Sequence, residues 1–165
     1  MSRAATEAPV VAVDAMGGDI GPSAIVPGAF DALREGGFRL ALYGDRDAIA
    51  SEISGLDDPP DAYEIVHCTQ VIEMAESPAQ AVRGKPDSPV ARAMADHKAG
   101  GVQAVFSAGS TGAMVAGSLM LLGRLEGVDR PAIATVIPTY DARFLMLDAG
   151  ANVQCTPQHL YTFAV

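Results

Sequence analysis

A short apolar run that passes through a turn of small residues into a second apolar run constrains the fold of this chain most. The first run, residues 102–106, is brief and rich in β-branched and aromatic residues, which predicts a strand buried on both faces. The turn, residues 107–112, reads Ser-Ala-Gly-Ser-Thr-Gly, and the second run, residues 113–122, has the length of a helix that ends at Gly123. Because this helix is apolar on nearly every side and too short to span a bilayer, we expect it to be buried.

The turn in front of this helix is a candidate anion site. Ser110 or Thr111 is placed to cap the helix, whose first N–H groups and positive dipole end then face whatever lies above the strand ends. On that interpretation, a Gly112→Asp change should impair anion binding far more than folding. The alternative is that the glycines only let strand and helix pack closely, and the turn by itself favours this alternative slightly.

Two other predicted strands also end in an acid followed by small residues. The residues after the first strand are Asp14, Gly17, Gly18 and Asp19, and those after the last are Asp148, Gly150 and Asn152. Ligands of open parallel sheets bind at the carboxyl ends of the strands, so both segments are candidate site segments. The first resembles a dinucleotide-binding turn only loosely, because the Gly-x-Gly-x-x-Gly spacing is absent.

The order of elements predicts one α/β domain. Strands are expected at residues 10–13, 38–43, 63–67, 102–106, 132–137 and 143–147, with helices at 24–34, 45–54, after Pro78, at 89–98 and 113–122, and after Thr156. The last two strands lie too close for a helical crossover and should be antiparallel neighbours. The prediction is therefore a mixed, mostly parallel sheet with helices on both faces, after a disordered tail at residues 1–9.

Composition excludes several classes of function. A net charge of −9 over 165 residues argues against nucleic acid and against simple docking on anionic lipid. Cys68 and Cys155 are expected to be reduced and buried, as in a cytosolic protein. The three histidines share no ligand spacing with them, so we expect structural or surface roles for the histidines and no metal site. We also expect no cofactor.

A basic cluster stands out in this acidic chain. Arg83, Lys85 and Arg92 lie close together in a polar stretch, with Lys98 nearby. An ordinary solvated loop accounts for the charge count better than a binding surface does. An acidic partner would nevertheless find its most favourable contact here.

Four segments together carry a resemblance that no single motif carries. They are residues 13–19, 107–113, 129–132 and 147–153. In this order and at this spacing they resemble the bacterial phosphate acyltransferases of phospholipid synthesis, the PlsX family. The match extends over residues 10–165 and covers only the N-terminal part of those longer proteins, so the chain looks truncated.

The resemblance implies an enzyme that moves a fatty acyl group from acyl carrier protein to inorganic phosphate, giving acyl phosphate for phosphatidic acid synthesis. It implies a fold similar to the isocitrate and isopropylmalate dehydrogenases and to phosphotransacetylase, usually as a homodimer. It also implies a cytoplasmic protein that associates peripherally with the membrane through a later region that this chain lacks. Ser110 stands where the family usually has Asn, and keeps a donor and an acceptor on a shorter side chain.

The chemistry of such a transfer needs donors that hold phosphate against a thioester carbonyl and stabilise its developing negative charge. Phosphate is already an anionic nucleophile, so neither a strong base nor a covalent serine is required. Asp14 and Asp148 are expected to orient loop N–H groups. The candidate catalytic residues are Ser110 and Asn152; the candidate substrate-binding residues are Asp14, Gly17, Gly18, Asp19, Ser107, Gly109, Thr111, Gly112, Asp148 and Gly150; the candidate carrier-protein contacts are Arg83, Lys85 and Arg92.

Two other classes of function stay open at this point. One is a nicotinamide-dependent dehydrogenase of related fold, against which the absent glycine fingerprint counts. The other is a non-catalytic fragment that binds carrier protein or pairs with its own kind.

Overall fold

The computed structural model describes residues 8–150, 152 and 154–164. These divide into two compact units, the first ending at Leu122 and the second beginning at Gly123. The predicted disordered tail lies outside the described residues as far as residue 7. Its last residue, Pro9, belongs to the fold, because its carbonyl oxygen accepts a 2.8 Å hydrogen bond from the Arg39 N–H.

The first unit is built on a four-stranded parallel sheet. Its strands are β1 (Val10–Asp14), β2 (Arg39–Gly44), β3 (Tyr63–His67) and β4 (Ala104–Ser107), in the spatial order β3-β2-β1-β4. Asp14 pairs with Ser107 in register, so the carboxyl ends of β1 and β4 lie side by side. The predicted strands are confirmed, and their order places the turn after β1 beside the turn after β4 at one edge of the sheet.

Five helices accompany this sheet. They are α1 (Pro22–Glu35), α2 (Arg46–Ser54), α3 (Pro78–Gly84), α4 (Pro89–Lys98) and α5 (Thr111–Gly117), the last continuing as a π-helical turn over Ser118–Leu122. Proline stands at the start of α1, α3 and α4, where its missing N–H costs nothing. The helices that the sequence predicts are thus confirmed, with shifts of a few residues at their ends.

The core lies on both faces of the sheet because neighbouring residues of a strand point to opposite sides. Val13 and Leu42 pack on one face against α1 and α2, with Phe30 fully buried among them. Ala12 and Tyr43 pack on the other face, with Ala93 of α4. The sheet is therefore flanked by helices, as the sequence predicts.

Two predicted burials are wrong. Strand β4 alternates between exposed and half-buried residues, because it is hydrogen-bonded to β1 on one side only within the described chain. Helix α5 buries Ala113 and Gly117. The following turn leaves Leu119, Met120 and Leu122 between 36% and 39% exposed, since α5 packs on α3 and α4 along one side.

The second unit contains an antiparallel pair, β5 (Ala134–Pro138) and β6 (Arg143–Leu147), and the helix α6 (Pro157–Phe163). The predicted antiparallel pairing is confirmed. The predicted single mixed sheet is wrong for the described residues, because β5 and β6 are hydrogen-bonded to each other in a sheet of their own. The predicted start of the last helix is also confirmed, by a capping box between Thr156 and His159.

The two cysteines differ, which corrects one prediction. Cys68 is buried, and burial raises the pKa of its thiol to about 11. Cys155 is exposed instead of buried, because it lies in the loop before α6 and not in a core position. No disulfide links them, so both are free thiols.

Candidate functional site

The ends of β1 and β4 are joined by a chain of hydrogen bonds. The Ser107 hydroxyl donates to Asp14 Oδ2 over 2.7 Å, and the Gly109 N–H donates to Ser107 Oγ over 3.0 Å. On the other side, the Met16 N–H donates to Asp14 Oδ1 over 3.1 Å. The Asp14 carboxyl therefore holds the loop that follows each strand.

Asp14 is the buried acid of this site, with only 5% of its surface exposed. Burial raises the pKa of its carboxyl above the usual range, and hydrogen bonds from Ser107 and from the Met16 and Gly17 N–H groups offset part of that rise. The neutral form of Asp14 is consequently easier to populate than that of an exposed aspartate. This lowers the electrostatic cost of an anion close by.

The loop after β1 approaches the loop after β4 closely enough to require glycine. A Cβ on Gly17 would lie 2.8 Å from the Gly109 nitrogen and 3.0 Å from Asp14 Oδ2. Gly18 has a positive φ of 77° and packs beside Ala108. The structure thus brings Gly17 and Gly18 against the turn of residues 107–112, here called the central turn. Asp19 is exposed at the far end of its loop.

Ser110 caps the central helix. Its Oγ accepts a 3.3 Å hydrogen bond from the Ala113 N–H, so the hydroxyl proton stays available to another acceptor. Thr111 is exposed at the first position of the helix. The unpaired N–H groups of this first turn lie beside the loops joined by Asp14.

Gly112 allows α5 to pack closely against the start of α3. A Cβ there would lie 2.6 Å from Cγ of Pro78, the first residue of α3. The expectation that Gly112→Asp would spare folding is therefore wrong, because the added side chain meets the Pro78 ring. For this position, the close-packing interpretation of the turn is the right one.

A small cavity, missed by the sequence analysis, lies beneath these loops. Its volume is about 10 Å³, and its lining consists of Asp14, Met16, Val71, Ile72, Ser88, Pro89, Val90, Gly109, Ser110 and Ala113. Ser88 is fully buried, and its Oγ has no hydrogen-bond partner among the described residues. The Ser-Pro pair signalled a helix start, but nothing in the sequence signalled an unpaired hydroxyl facing this cavity.

An apolar groove of about 420 Å³ lies on the opposite face of the sheet. Val11 and Val13 of β1 line it together with Phe106 and one side of α1. None of the predicted site residues belongs to its lining. The groove and the hydrogen-bonded loops are therefore separate features of the first unit.

The third predicted segment lies in the second unit and forms its own network. Asn152 Nδ2 donates to Asp148 Oδ1 and to the Pro131 carbonyl oxygen, each over 3.1 Å. Asp148 and Gly150 both have positive φ, at 63° and 92°. Both Asn152 amide hydrogens are thus engaged, one by Asp148 in the same loop and the other by Pro131, which precedes β5.

Two of the three predicted basic contacts are neutralised locally. Lys85 binds the Glu76 carboxylate and the Val71 carbonyl oxygen, and Arg92 lies 2.9 Å from Asp87. Arg83, in contrast, is exposed on α3. The cluster predicted from spacing is therefore one exposed cation beside two ion pairs.

Asp87 is held by more than Arg92. The Thr69 hydroxyl and N–H donate to Asp87 Oδ2 over 2.6 and 2.8 Å. These bonds, with Thr69 the larger cause and Arg92 the next, lower the pKa of Asp87 to about 2. The loop that leads into Ser88 is consequently fixed in place.

Neither a metal-binding cluster nor a membrane-spanning helix is found in the part of the chain that the structure describes. It contains no group of three or more His, Cys, Asp or Glu residues arranged to hold a metal ion. Within the same residues, no helix is long and apolar enough to cross a membrane.

Comparisons with known proteins place the chain among lipid-synthesis proteins. The sequence model of a family described as "Fatty acid synthesis protein" matches residues 10–165. A phosphate acyltransferase of Oleidesulfovibrio alaskensis is 47% identical over 95% of this chain and 45% of its own length. Those of Desulforamulus reducens and Moorella thermoacetica are 48% and 47% identical, over 94% of this chain and 46% and 45% of theirs. The chain spans about half the length of the curated relatives it matches.

Proposed function

Because this chain belongs to the family of fatty acid synthesis proteins, we propose that it carries the phosphate-binding half of an acyltransferase. The reaction moves a fatty acyl group from acyl carrier protein to inorganic phosphate. Its product, an acyl phosphate, feeds phosphatidic acid and phospholipid synthesis. The observation that supports this proposal most is the hydrogen-bonded junction of Asp14, Ser107 and Gly109, which fixes two loops and the cap of α5 at one edge of the sheet.

Phosphate is held in this proposal by the turn that begins α5. The Ser110 hydroxyl proton and the unpaired N–H groups of Thr111 and Gly112 are its donors. Asp14 is not assigned as a ligand of the anion, since both of its carboxyl oxygens accept hydrogen bonds from the loops. Its role is to hold those loops at a fixed distance.

The chemical step is a displacement at the thioester carbonyl. A phosphate oxygen forms a bond to the carbonyl carbon, the carbon–sulfur bond breaks, and the carrier's thiolate leaves and takes a proton from solvent. The carbonyl oxygen becomes negative on the way, so donors placed around it lower the barrier. We assign Asn152 to this oxygen or to phosphate, a role in which one of its two amide hydrogens exchanges the Asp148 or Pro131 oxygen for the substrate. Asp148 and Gly150 shape its loop.

Several partners and states belong to the same proposal. Arg83 is assigned to the carrier-protein contact, and Lys85 and Arg92 to the support of that surface through their ion pairs. The complete enzyme is proposed to be a cytoplasmic homodimer with a fold similar to the isocitrate and isopropylmalate dehydrogenases, and to associate peripherally with the membrane. The relatives' greater length leaves room for the parts that these properties require.

Turnover tests the proposal directly. The chain alone, and the chain joined to the C-terminal half of the Moorella thermoacetica relative, are given acyl carrier protein thioester and phosphate. We expect phosphate-dependent formation of acyl phosphate by the joined protein. A folded joined protein that releases no acyl phosphate would contradict the proposal, and activity of the chain alone would show that the first half suffices.

A further inference from the structure

Ser88 is a buried hydroxyl whose surroundings leave it without a partner. It is the N-cap of α4, and its relative exposure is 0%. Its backbone is satisfied, since its N–H donates to the Lys85 carbonyl oxygen and its own carbonyl accepts from the Arg92 N–H. Its Oγ makes no capping bond to the helix and no other hydrogen bond within the described residues. A buried hydroxyl left in this state costs stability, so another group is expected to satisfy it.

The cavity that Ser88 lines has the size of one oxygen atom. A volume of about 10 Å³ is close to the space that a single water-sized probe occupies. Asp14, Gly109 and Ser110 of the candidate site line the same cavity as Ser88. Val90 adds the first turn of a ten-residue helix, whose leading N–H groups lack intrahelical partners.

The position of Ser88 is fixed by its neighbour. Asp87 is anchored by Thr69 and by Arg92, which lies one turn into the helix. The hydroxyl is therefore held by a rigid loop, and because its Oγ is closed off from solvent, a ligand oxygen must open the cavity to reach it. Fixed donors of this kind are the ones that hold an anion at low entropic cost.

We propose that Ser88 is a further phosphate-binding residue, whose hydroxyl donates to one phosphate oxygen inserted into this cavity while Ser110 donates to a second. The inference rests on the proposed function, because it assumes that phosphate is the anion at the central turn. The cavity admits one oxygen and excludes the phosphorus atom, which stays at its mouth beside Ser110. Asp14 lines the same cavity, and burial raises the pKa of its carboxyl, which makes the neutral form easier to reach and reduces the repulsion between this group and the anion.

Phosphate titration of this chain by calorimetry tests the inference with a matched pair of variants. Ser77 is also an N-cap serine without a capping bond and is also followed by proline, but it is exposed. Loss of a hydrogen bond to a charged oxygen should weaken phosphate binding about tenfold or more in Ser88→Ala. Ser77→Ala should bind like the parent. Without phosphate, the melting temperature of Ser88→Ala should equal or exceed that of the parent, because an unpaired buried hydroxyl has been removed.

The outcomes separate this inference from the proposed function. Unchanged phosphate affinity in Ser88→Ala would overturn it, and a lowered melting temperature with unchanged affinity would identify the hydroxyl as a structural group bound to water. A parent chain that binds no phosphate would overturn it as well. Turnover by the joined protein with an unchanged Michaelis constant for phosphate in Ser88→Ala would reject the inference and leave the proposed function standing. Weakened phosphate binding in Ser88→Ala, together with no turnover by the joined protein, would support the inference and reject the proposed function.

Discussion

The Ser107 hydroxyl donates to Asp14 Oδ2 over 2.7 Å and so connects residues 93 positions apart in the chain. This bond is the side-chain counterpart of the parallel pairing that sets Asp14 opposite Ser107. It satisfies one oxygen of a buried carboxyl. The same Ser107 Oγ accepts a hydrogen bond from the Gly109 N–H and so also holds the turn of residues 107–112.

Ser107→Ala should destabilise the chain. The change leaves Asp14 Oδ2 and the Gly109 N–H without their partner, at a cost of about 1–3 kcal/mol. Urea unfolding measures the loss. Ser51→Ala, in an exposed position of α2, is the control and should change the free energy of unfolding little; equal effects of the two variants would contradict the role given to Ser107.

Gly17→Ala and Gly28→Ala should have opposite effects on stability. The Cβ at Gly17 would lie 2.8 Å from a backbone nitrogen, which cannot move aside cheaply, so overpacking should cost about 1–3 kcal/mol. Gly28 lies within α1 and has nothing within 4 Å of an added Cβ, so alanine there should stabilise by up to about 1 kcal/mol. Thermal unfolding of both variants decides the matter, and a stable Gly17→Ala would show that the loops are not tightly packed.

Asp87 should make stability depend on acid pH. Its pKa falls from 3.8 to about 2 in the folded chain, so its contribution is present above 3.8 and is lost as pH falls toward about 2. The stability difference between the parent and Asp87→Asn should therefore be constant at neutral pH and shrink across this window. Asp61→Asn, exposed in the loop before β3, is the control. A difference that persists undiminished at the acid end would show that the charge of Asp87 is not what stabilises the fold.

Arg83→Glu should slow association with acyl carrier protein, the partner we propose, and weaken its salt dependence, because Arg83 would attract an acidic carrier protein. Lys85→Glu is a poorer test, since it also removes the pairing with Glu76 and the bond to Val71. Arg39→Glu makes the same charge change at the amino end of β2, away from the strand ends that carry the site. Stopped-flow rates at several ionic strengths that are equal for both variants would reject the assignment of Arg83.

Local patterns predicted the elements well, because strand length, proline at helix starts and glycine at helix ends are short-range signals. The contacts between elements were not predictable in the same way. Gly112 meets Pro78 only because α3 packs on α5, and Ser88 lines one cavity with Asp14 only because α4 covers that face of the sheet. The spacing of Lys85 and Arg92 likewise could not show that each has a carboxylate partner.

The prediction that β4 is buried on both faces was wrong for a related reason. An apolar run is typical of a central strand, but its pairing partners are set by the whole sheet, and in the described residues β4 has one neighbour. The same limit applies to β5 and β6. Their short connection predicted that they are antiparallel, but it could not predict that they form a sheet of their own.

The Michaelis constant for phosphate, measured at saturating acyl donor in the joined protein, shows whether the turn that begins α5 binds phosphate. Ser110→Ala removes one hydroxyl donor to a charged oxygen, so this constant should rise about tenfold or more while that for the acyl donor stays close to the parental value. If the constant for phosphate stays at the parental value in a folded Ser110→Ala protein, the turn that begins α5 is a packing device and the account of phosphate binding is contradicted.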